Sequence, residues 1–300
     1  MTTTTEIKPN FIIVGAAKSG TTSLYSYLKA NPDIFLPDFK EPHYFAKNHA
    51  FNFDVLSDRD AYYRLFEGQQ EPALGEASTA YLYFPDIPDN IHAELPNCKI
   101  IALVRNPTER ALSLWGHQIR EGLEEDSLEQ AIKQELAGTT RSVSGVEYGF
   151  NYCRQGLIAD NIDSYISSFG KNNVYIADYQ QLRTDPQELI NQICDFLDVP
   201  PHRISEKNNR LNASGNPKFG WFHKMLNSKH PVRQALVLPL KLFMPAQLRH
   251  KLWSKLRNWN ILQGRRHQID LSTKNLLDQY FASDVERVAT RIQECRQRSL

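Results

Sequence analysis

Gly15-Ala-Ala-Lys-Ser-Gly-Thr-Thr22 gathers a lysine, three hydroxyls and two glycines directly after the apolar run Phe11-Ile-Ile-Val14. Gly15 and Gly20 allow a sharp turn that points several N–H groups at one spot, and a helix starting near Thr21 adds the positive end of its dipole. That is the construction of an anion site, with Lys18 projecting from the middle of the loop and Ser19, Thr21 and Thr22 as further donors. The lysine is not where a triphosphate loop needs it. In G-x-x-x-x-G-K-[ST] it follows the second glycine, whereas Lys18 precedes Gly20. Taken alone, a glycine-rich turn kept for packing explains the same residues.

A second anion ligand stands at Arg105, which closes the β-branched run Cys98-Lys-Ile-Ile-Ala-Leu-Val104, with Ser113 one helical stretch further on. In an open α/β sheet ligands lie outside the carboxyl ends of the strands, so the first loop and Arg105 would face one crevice. A guanidinium can hold a phosphate through a bidentate fork. An ion pair capping the sheet would account for Arg105 equally well.

These residues need a frame of alternating strands and helices. Strands are expected at 11–14, 34–37, near 74–76, at 98–104 and at 173–177. Helices are expected at 21–30, around 58–66, at 86–95, from 108 to about 121 with Thr108 as N-cap, and at 124–137, 157–169 and 185–197. Gly138-Thr-Thr-Arg-Ser-Val-Ser-Gly145 reads as a substrate loop or lid between them. The pattern predicts a P-loop-like, three-layer α/β domain over residues 9–220, with a central, mostly parallel sheet flanked by helices. Residues 1–8 are expected to be disordered, and 221–300 to form a helical, basic extension packed on the same domain.

With 300 residues, 41% hydrophobic content and a net charge of +1, the chain can bury a large core and is no general polyanion binder, so no nucleic-acid partner is expected. The charge is unevenly spread. From Lys207 to Gln268 there are 13 Lys and Arg and no Asp or Glu, while the rest carries 22 basic and 34 acidic residues. A solvated helical face explains this as well as a surface for an anionic ligand or a peripheral membrane contact. Cys98, Cys153, Cys194 and Cys295 show no metal-ligand spacing and read as reduced thiols. The N-terminus lacks a signal-peptide core, and the apolar run 235–245 is broken by two prolines and a lysine. A cytoplasmic monomer or homodimer is expected.

Together, the Gly15–Leu24 loop and Ile100-Ile-Ala-Leu-Val-Arg-Asn-Pro-Thr-Glu-Arg-Ala-Leu-Ser113 resemble the two nucleotide motifs of the PAPS-dependent sulfotransferase family, over about residues 9–220. The resemblance implies transfer of a sulfuryl group from 3′-phosphoadenosine 5′-phosphosulfate (PAPS) by in-line displacement. The acceptor would be a hydroxyl or amine of a carbohydrate or small natural product, the product 3′-phosphoadenosine 5′-phosphate (PAP), and no metal would be required. Gly15, Lys18, Ser19, Gly20, Thr21 and Thr22 would hold the phosphosulfate, and Arg105 and Ser113 the 3′-phosphate.

Lys40-Glu-Pro-His-Tyr-Phe45 places the chain nearer the heparan-sulfate and bacterial branch. There the family role of general base falls on Glu41, its pKa raised by burial, with His43 beside it; an ion pair of Glu41 with Lys40 or Lys47 is the alternative. The acceptor pocket is expected from Lys40–Phe45, the Ser78–Tyr83 loop and the Gly138–Phe150 loop, with Lys40, Tyr44, Ser78, Tyr81 and His117 as its residues, joined by Trp221, Trp253 and Trp259 of the basic tail. The sequence also departs from the family. The Arg-Lys-Gly signature that closes over the nucleotide is absent, leaving Gly215 and Lys218 in its place, and Gly75-Glu-Ala-Ser78 lacks the lysine that meets acidic sugars. The histidine base of the small-phenol branch has only His92 as a counterpart. A nucleotide kinase or NTPase, and a non-enzymatic nucleotide- or lipid-binding module, are the competing functions.

Overall fold

Runs that are apolar on every residue rather than on alternate ones need cover on both faces, and that is how they are used. The computed structural model describes residues 6–51, 53–204, 215–217, 261–263 and 267–296. Its main sheet consists of β1 (Phe11–Gly15), β2 (Ile34–Phe35), β3 (Ala73–Ala77), β4 (Lys99–Val104) and β5 (Val174–Asp178). The strands are parallel and ordered β2-β3-β1-β4-β5. Phe11 lies opposite Gly75, where a Cβ would stand 2.3 Å from its ring, so glycine is what admits the phenyl group across β3.

The helices are α1 (Thr21–Lys29), α2 (Arg59–Tyr63), α3 (Ile87–Glu94), α4 (Pro107–Glu121), α5 (Leu128–Leu136), α6 (Ala159–Phe169), α7 (Tyr179–Thr184), α8 (Pro186–Leu197) and a C-terminal α9 (Leu271–Arg296). Because side chains alternate along a strand, Ile12, Val14, Ile100 and Ile176 join Tyr62, Ile91, Ile162 and Tyr165 on one face. Phe11, Ile13, Ile101 and Leu103 meet Leu24, Leu28, Leu189 and Ile193 of α1 and α8 on the other. The expected three layers are present.

Several boundaries differ from the sequence expectation for local reasons. Pro107 takes the first position of α4, so Asn106 rather than Thr108 caps it, accepting from the Glu109 N–H at 3.0 Å. Thr108 donates its hydroxyl to Asp278 of α9 instead. The helix expected from Glu124 starts four residues later, at a Ser127–Gln130 capping box. The buried Glu124 carboxylate meanwhile accepts from the N–H groups of Glu125 and Asp126 and from the Tyr152 hydroxyl. Glu6, expected in a disordered leader, makes two hydrogen bonds with Arg59.

α9 is bound to the domain by specific contacts. Leu277 and Phe281 are buried with Ala111, Leu114, Ile132 and Phe150, and Asp284 accepts from the N–H groups of Ile158 and Ala159 at the start of α6. Gly215–Pro217 (β6) pairs antiparallel with Ile261–Gln263 (β7). Lys218, Trp221, Trp253, Trp259 and most of the basic segment lie outside the described residues. Cys98, Cys153 and Cys194 are buried thiols. Among the described residues no helix is long and apolar enough to cross a membrane.

Candidate active site

The chain passes from β3 across β1 to β4, and a parallel sheet opens a crevice at such a reversal. Here the carboxyl ends of the strands face a cavity of about 700 Å³. The β1–α1 loop contributes Lys18, Gly20, Thr21 and Thr22; Glu41 follows β2, Thr79 follows β3, Arg105 follows β4 and Tyr179 follows β5. α4 runs along one wall, and the helical period sets Ser113, His117, Arg120 and Glu121 on the face that looks in.

Gly20 takes φ 92°, and a Cβ there would lie 2.9 Å from the Tyr179 ring, so both conformation and close approach select glycine. Lys18 adopts φ 67° without that freedom, and its carbonyl accepts from Arg105 Nη1 at 3.2 Å. Burial first, and the Arg120 guanidinium second, lower the Lys18 pKa to about 8. An anion beside the ammonium would reverse that shift. The Ser19 hydroxyl is fully buried without a hydrogen-bond partner. Arg105 is both an ion pair and a cavity residue: it reaches Glu109 at 2.9 Å and lies 4.6 Å from the Tyr179 ring centroid.

Glu41 is held from three sides. Lys40 Nζ lies 2.7 Å from Oε1, the Thr79 hydroxyl donates to Oε2 at 2.8 Å, and His43 Nε2 lies 3.2 Å from Oε2. Burial pushes the carboxyl up, but hydrogen bonding to His43 and the Lys40 charge outweigh it and hold Glu41 well below the usual carboxylate range. The raised pKa expected for this residue is therefore corrected. Its ion pair with Lys40 is real, and its carboxylate still reaches the cavity. Lys18, Glu41 and His43 are three of the five non-glycine residues with left-handed φ among those described, and such outliers concentrate where a fold positions reacting groups.

Other expected pocket residues lie elsewhere. Tyr44 is in the core, stacked on Tyr62 with its hydroxyl on Glu94. Tyr81 is buried and accepts from the Phe45 N–H, and Ser78 is buried, accepting from the His43 N–H and donating to Glu76. None of the three lines the cavity, nor does Lys40, whose ammonium is turned to Glu41. His43 is also buried behind Glu41, packed on Phe51 and Phe53. His92 is exposed against Phe169, away from the cavity. Gly215 lies in β6, opposite Gln263, and Lys218 lies outside the described residues.

Thr79 and Tyr148 line the cavity from within the 78–83 and 138–150 loops expected to build the pocket, although neither was singled out, and Phe53 was missed. The pairs Phe51/Phe53 and Tyr148/Phe150 were visible as aromatic density, but no period marked which ring would face the cavity. Sequence reasoning also missed Glu76, fully buried on β3 beside Tyr62 and Ser78, whose pKa burial raises to about 7.

An ammonium, a guanidinium and hydroxyls line the cavity and form a donor set suited to a phosphate-bearing anion, while Ser19, expected among those donors, is fully buried and is not one of the lining residues. Among the described residues no group of three or more His, Cys, Asp or Glu side chains is placed to hold a metal ion. A family model described as a sulfotransferase domain matches residues 8–227. Human bifunctional heparan sulfate N-deacetylase/N-sulfotransferase 3 is 29% identical over 205 residues, which cover 65% of this chain and 23% of that protein. Human heparan sulfate glucosamine 3-O-sulfotransferase 6 is 27% identical over 247 residues, covering 78% of this chain and 68% of that one. The chain thus spans under a quarter of the bifunctional relative. A crystal structure of a sulfotransferase from Alicyclobacillus acidocaldarius superposes with a TM-score of 0.68 at 25% identity, covering 96% of both chains.

Proposed function

Since the chain belongs to the sulfotransferase domain family, we propose that it moves a sulfuryl group from PAPS to a hydroxyl or amine of a carbohydrate or small natural-product acceptor. One observation carries the proposal: the ammonium of Lys18, the carboxylate of Glu41 and the guanidinium of Arg105 open onto one cavity.

In the proposed reaction the acceptor oxygen or nitrogen bonds to sulfur while the bridging S–O bond to the 5′-phosphate breaks. Lys18, beside that bridge, would meet the negative charge that appears on the leaving phosphate, in a partly dehydrated site where such an interaction is strong. Thr21, Thr22 and the amides of the loop would hold the same end of the nucleotide, and Arg105 with Ser113 its 3′-phosphate. Glu41 would take the acceptor proton. Its low pKa makes it a weak base toward an unreacted alcohol, so the transfer belongs late in the step, when bonding to sulfur has made the hydroxyl acidic. His43, 3.2 Å from the same carboxylate oxygen, fixes the direction in which that oxygen points.

Calorimetric titration with PAP and with ATP, each with and without Mg²⁺, tests the proposal. Metal-free preference for PAP is expected. Tighter, Mg²⁺-dependent binding of ATP would sink it in favour of a kinase or NTPase.

A further inference from the structure

Three alternate amides hold the short segment that carries Glu41. The N–H of Glu41 donates to the Ala77 carbonyl at 3.0 Å, that of His43 to Ser78 Oγ at 2.9 Å and that of Phe45 to Tyr81 Oη at 3.2 Å. Glu41 and His43 sit at φ 65° and 52°, which neither residue type favours, so the segment keeps its shape only while its surroundings hold it there. Thr79 adds a side-chain bond to Glu41 Oε2 at 2.8 Å. Where Glu41 points is therefore decided by the end of β3 and the residues that follow it.

Two of those three acceptors are hydroxyls, and a hydroxyl offers a lone pair to an N–H in a fixed direction only when its own proton is engaged elsewhere. Here the protons go to Glu76. Ser78 Oγ donates to Glu76 Oε2 at 2.8 Å, the Tyr81 hydroxyl bonds the same carboxyl, and Tyr62 Oη reaches Oε1 at 3.4 Å. Glu76, Ser78, Tyr81 and Tyr62 are all fully buried, so no solvent stands by to replace a lost partner. Either protonation state of Glu76 can play this part, because a proton on Oε1 leaves Oε2 free to accept from Ser78. Burial raises its pKa to about 7 against those hydrogen bonds, and an acid kept dry in a core lowers stability. A leucine of similar size would pack there without that cost, so what the carboxyl supplies is acceptor oxygens held in one direction.

We infer that Glu76 is a positioning residue for the sulfuryl transfer: through the hydroxyls of Ser78 and Tyr81 it fixes the main chain at His43 and Phe45, and with it the direction in which the Glu41 carboxylate enters the cavity. The inference rests on the sulfotransferase function proposed above, with Glu41 as its base. Glu76 does not line the cavity and touches neither donor nor acceptor. Its loss slows the reaction through Glu41, while nucleotide binding, which falls to Lys18, Arg105 and the loop after β1, is left as it was.

The test takes water as the acceptor and follows sulfate release from labelled PAPS by the full chain. Water oxygen bonds to sulfur, the 5′-phosphate leaves with the electrons of the broken S–O bond, and the proton passes to Glu41. Glu76→Leu and Ser78→Ala should each lower that rate on the order of 10- to 100-fold with PAP affinity unchanged, whereas Glu76→Gln, whose amide oxygen can accept from Ser78, should stay within about threefold. Combining Glu76→Leu with Ser78→Ala should slow release no further than the slower single change, since both break one chain of bonds. In parallel, NMR of the chain with isotope-labelled glutamate carboxyls, the Glu41 resonance being assigned by its loss in Glu41→Gln, should find that resonance displaced by Glu76→Leu and by Ser78→Ala and retained in Glu76→Gln. An undisplaced Glu41 resonance overturns the inference even where no sulfate release is seen, and so do rate effects that multiply when the two changes are combined. If Glu76→Leu does not fold, Ser78→Ala decides by the same two readouts. Failure of the unaltered chain to bind PAP overturns the sulfotransferase function instead, while the resonance still reports whether Glu76 holds the loop.

Discussion

Lys18 and Glu41 are both charged groups held away from their ordinary titration, and each shift has a kinetic signature. A lysine lowered to about 8 loses its charge in the free protein as pH rises through that value, so kcat/KM for the donor should fall above pH 8. Bound phosphosulfate raises the same pKa, so kcat should hold to higher pH; a kcat/KM flat to pH 9.5 would contradict this. Lys18→Ala should lower kcat on the order of 100- to 1000-fold. Glu41→Gln should remove most turnover while calorimetry finds PAP binding intact, and normal turnover in that variant would remove the base assignment. Glu76 is a buried acid of the opposite kind, raised from 4.5 to about 7. Its folded form keeps a proton that the unfolded chain releases, so it makes stability fall as pH rises from about 4.5 to 7, by about 3 kcal/mol in total. Glu76→Gln should flatten that part of the urea stability curve, and an unchanged pH dependence would show that Glu76 does not titrate there. The residue type of Glu76 was plain in the sequence, but its pKa was not, because only the fold brings Tyr62 and Ser78 around it and excludes water.

Elements far apart in sequence hold one another's ends. Asp284 on α9 accepts from the first free N–H groups of α6, doing at a distance of more than a hundred residues what a local N-cap does next door. Asp284→Ala leaves both groups unpaired and should destabilise the protein by about 1–2 kcal/mol, read as a lower urea midpoint with unchanged slope. Phe281, 1% exposed and wedged against Gly156, should lose about 3–5 kcal/mol on truncation to alanine. The strands and most helices were legible from apolar runs and caps. Errors came where one signal outranked another, as when Pro107 displaced the cap from Thr108 to Asn106, or where Glu124 was taken into a helix whose start its own side chain precedes.

At the scale of the whole molecule, α9 props the start of α4, which begins two residues after Arg105. A chain ending at Asp270 should therefore lose PAP affinity as well as stability, seen as a lower thermal midpoint and a smaller rise in that midpoint on adding PAP. An unchanged PAP affinity would show the helix to be independent of the site. The sequence by itself determined the parallel sheet, the glycine-bracketed loop after β1 and the meeting of Lys18 with Arg105 at one crevice, because these depend on local patterning and on the rule that ligands gather at the carboxyl ends of strands. Only the tertiary structure decided which of the residues near Glu41 reach the cavity. Tyr44, Ser78 and Tyr81 turn inward to hold the loop, whereas Thr79, Phe53 and Tyr148 face the cavity. In irregular segments no period fixes the direction of a side chain, so packing against distant parts of the chain sets it.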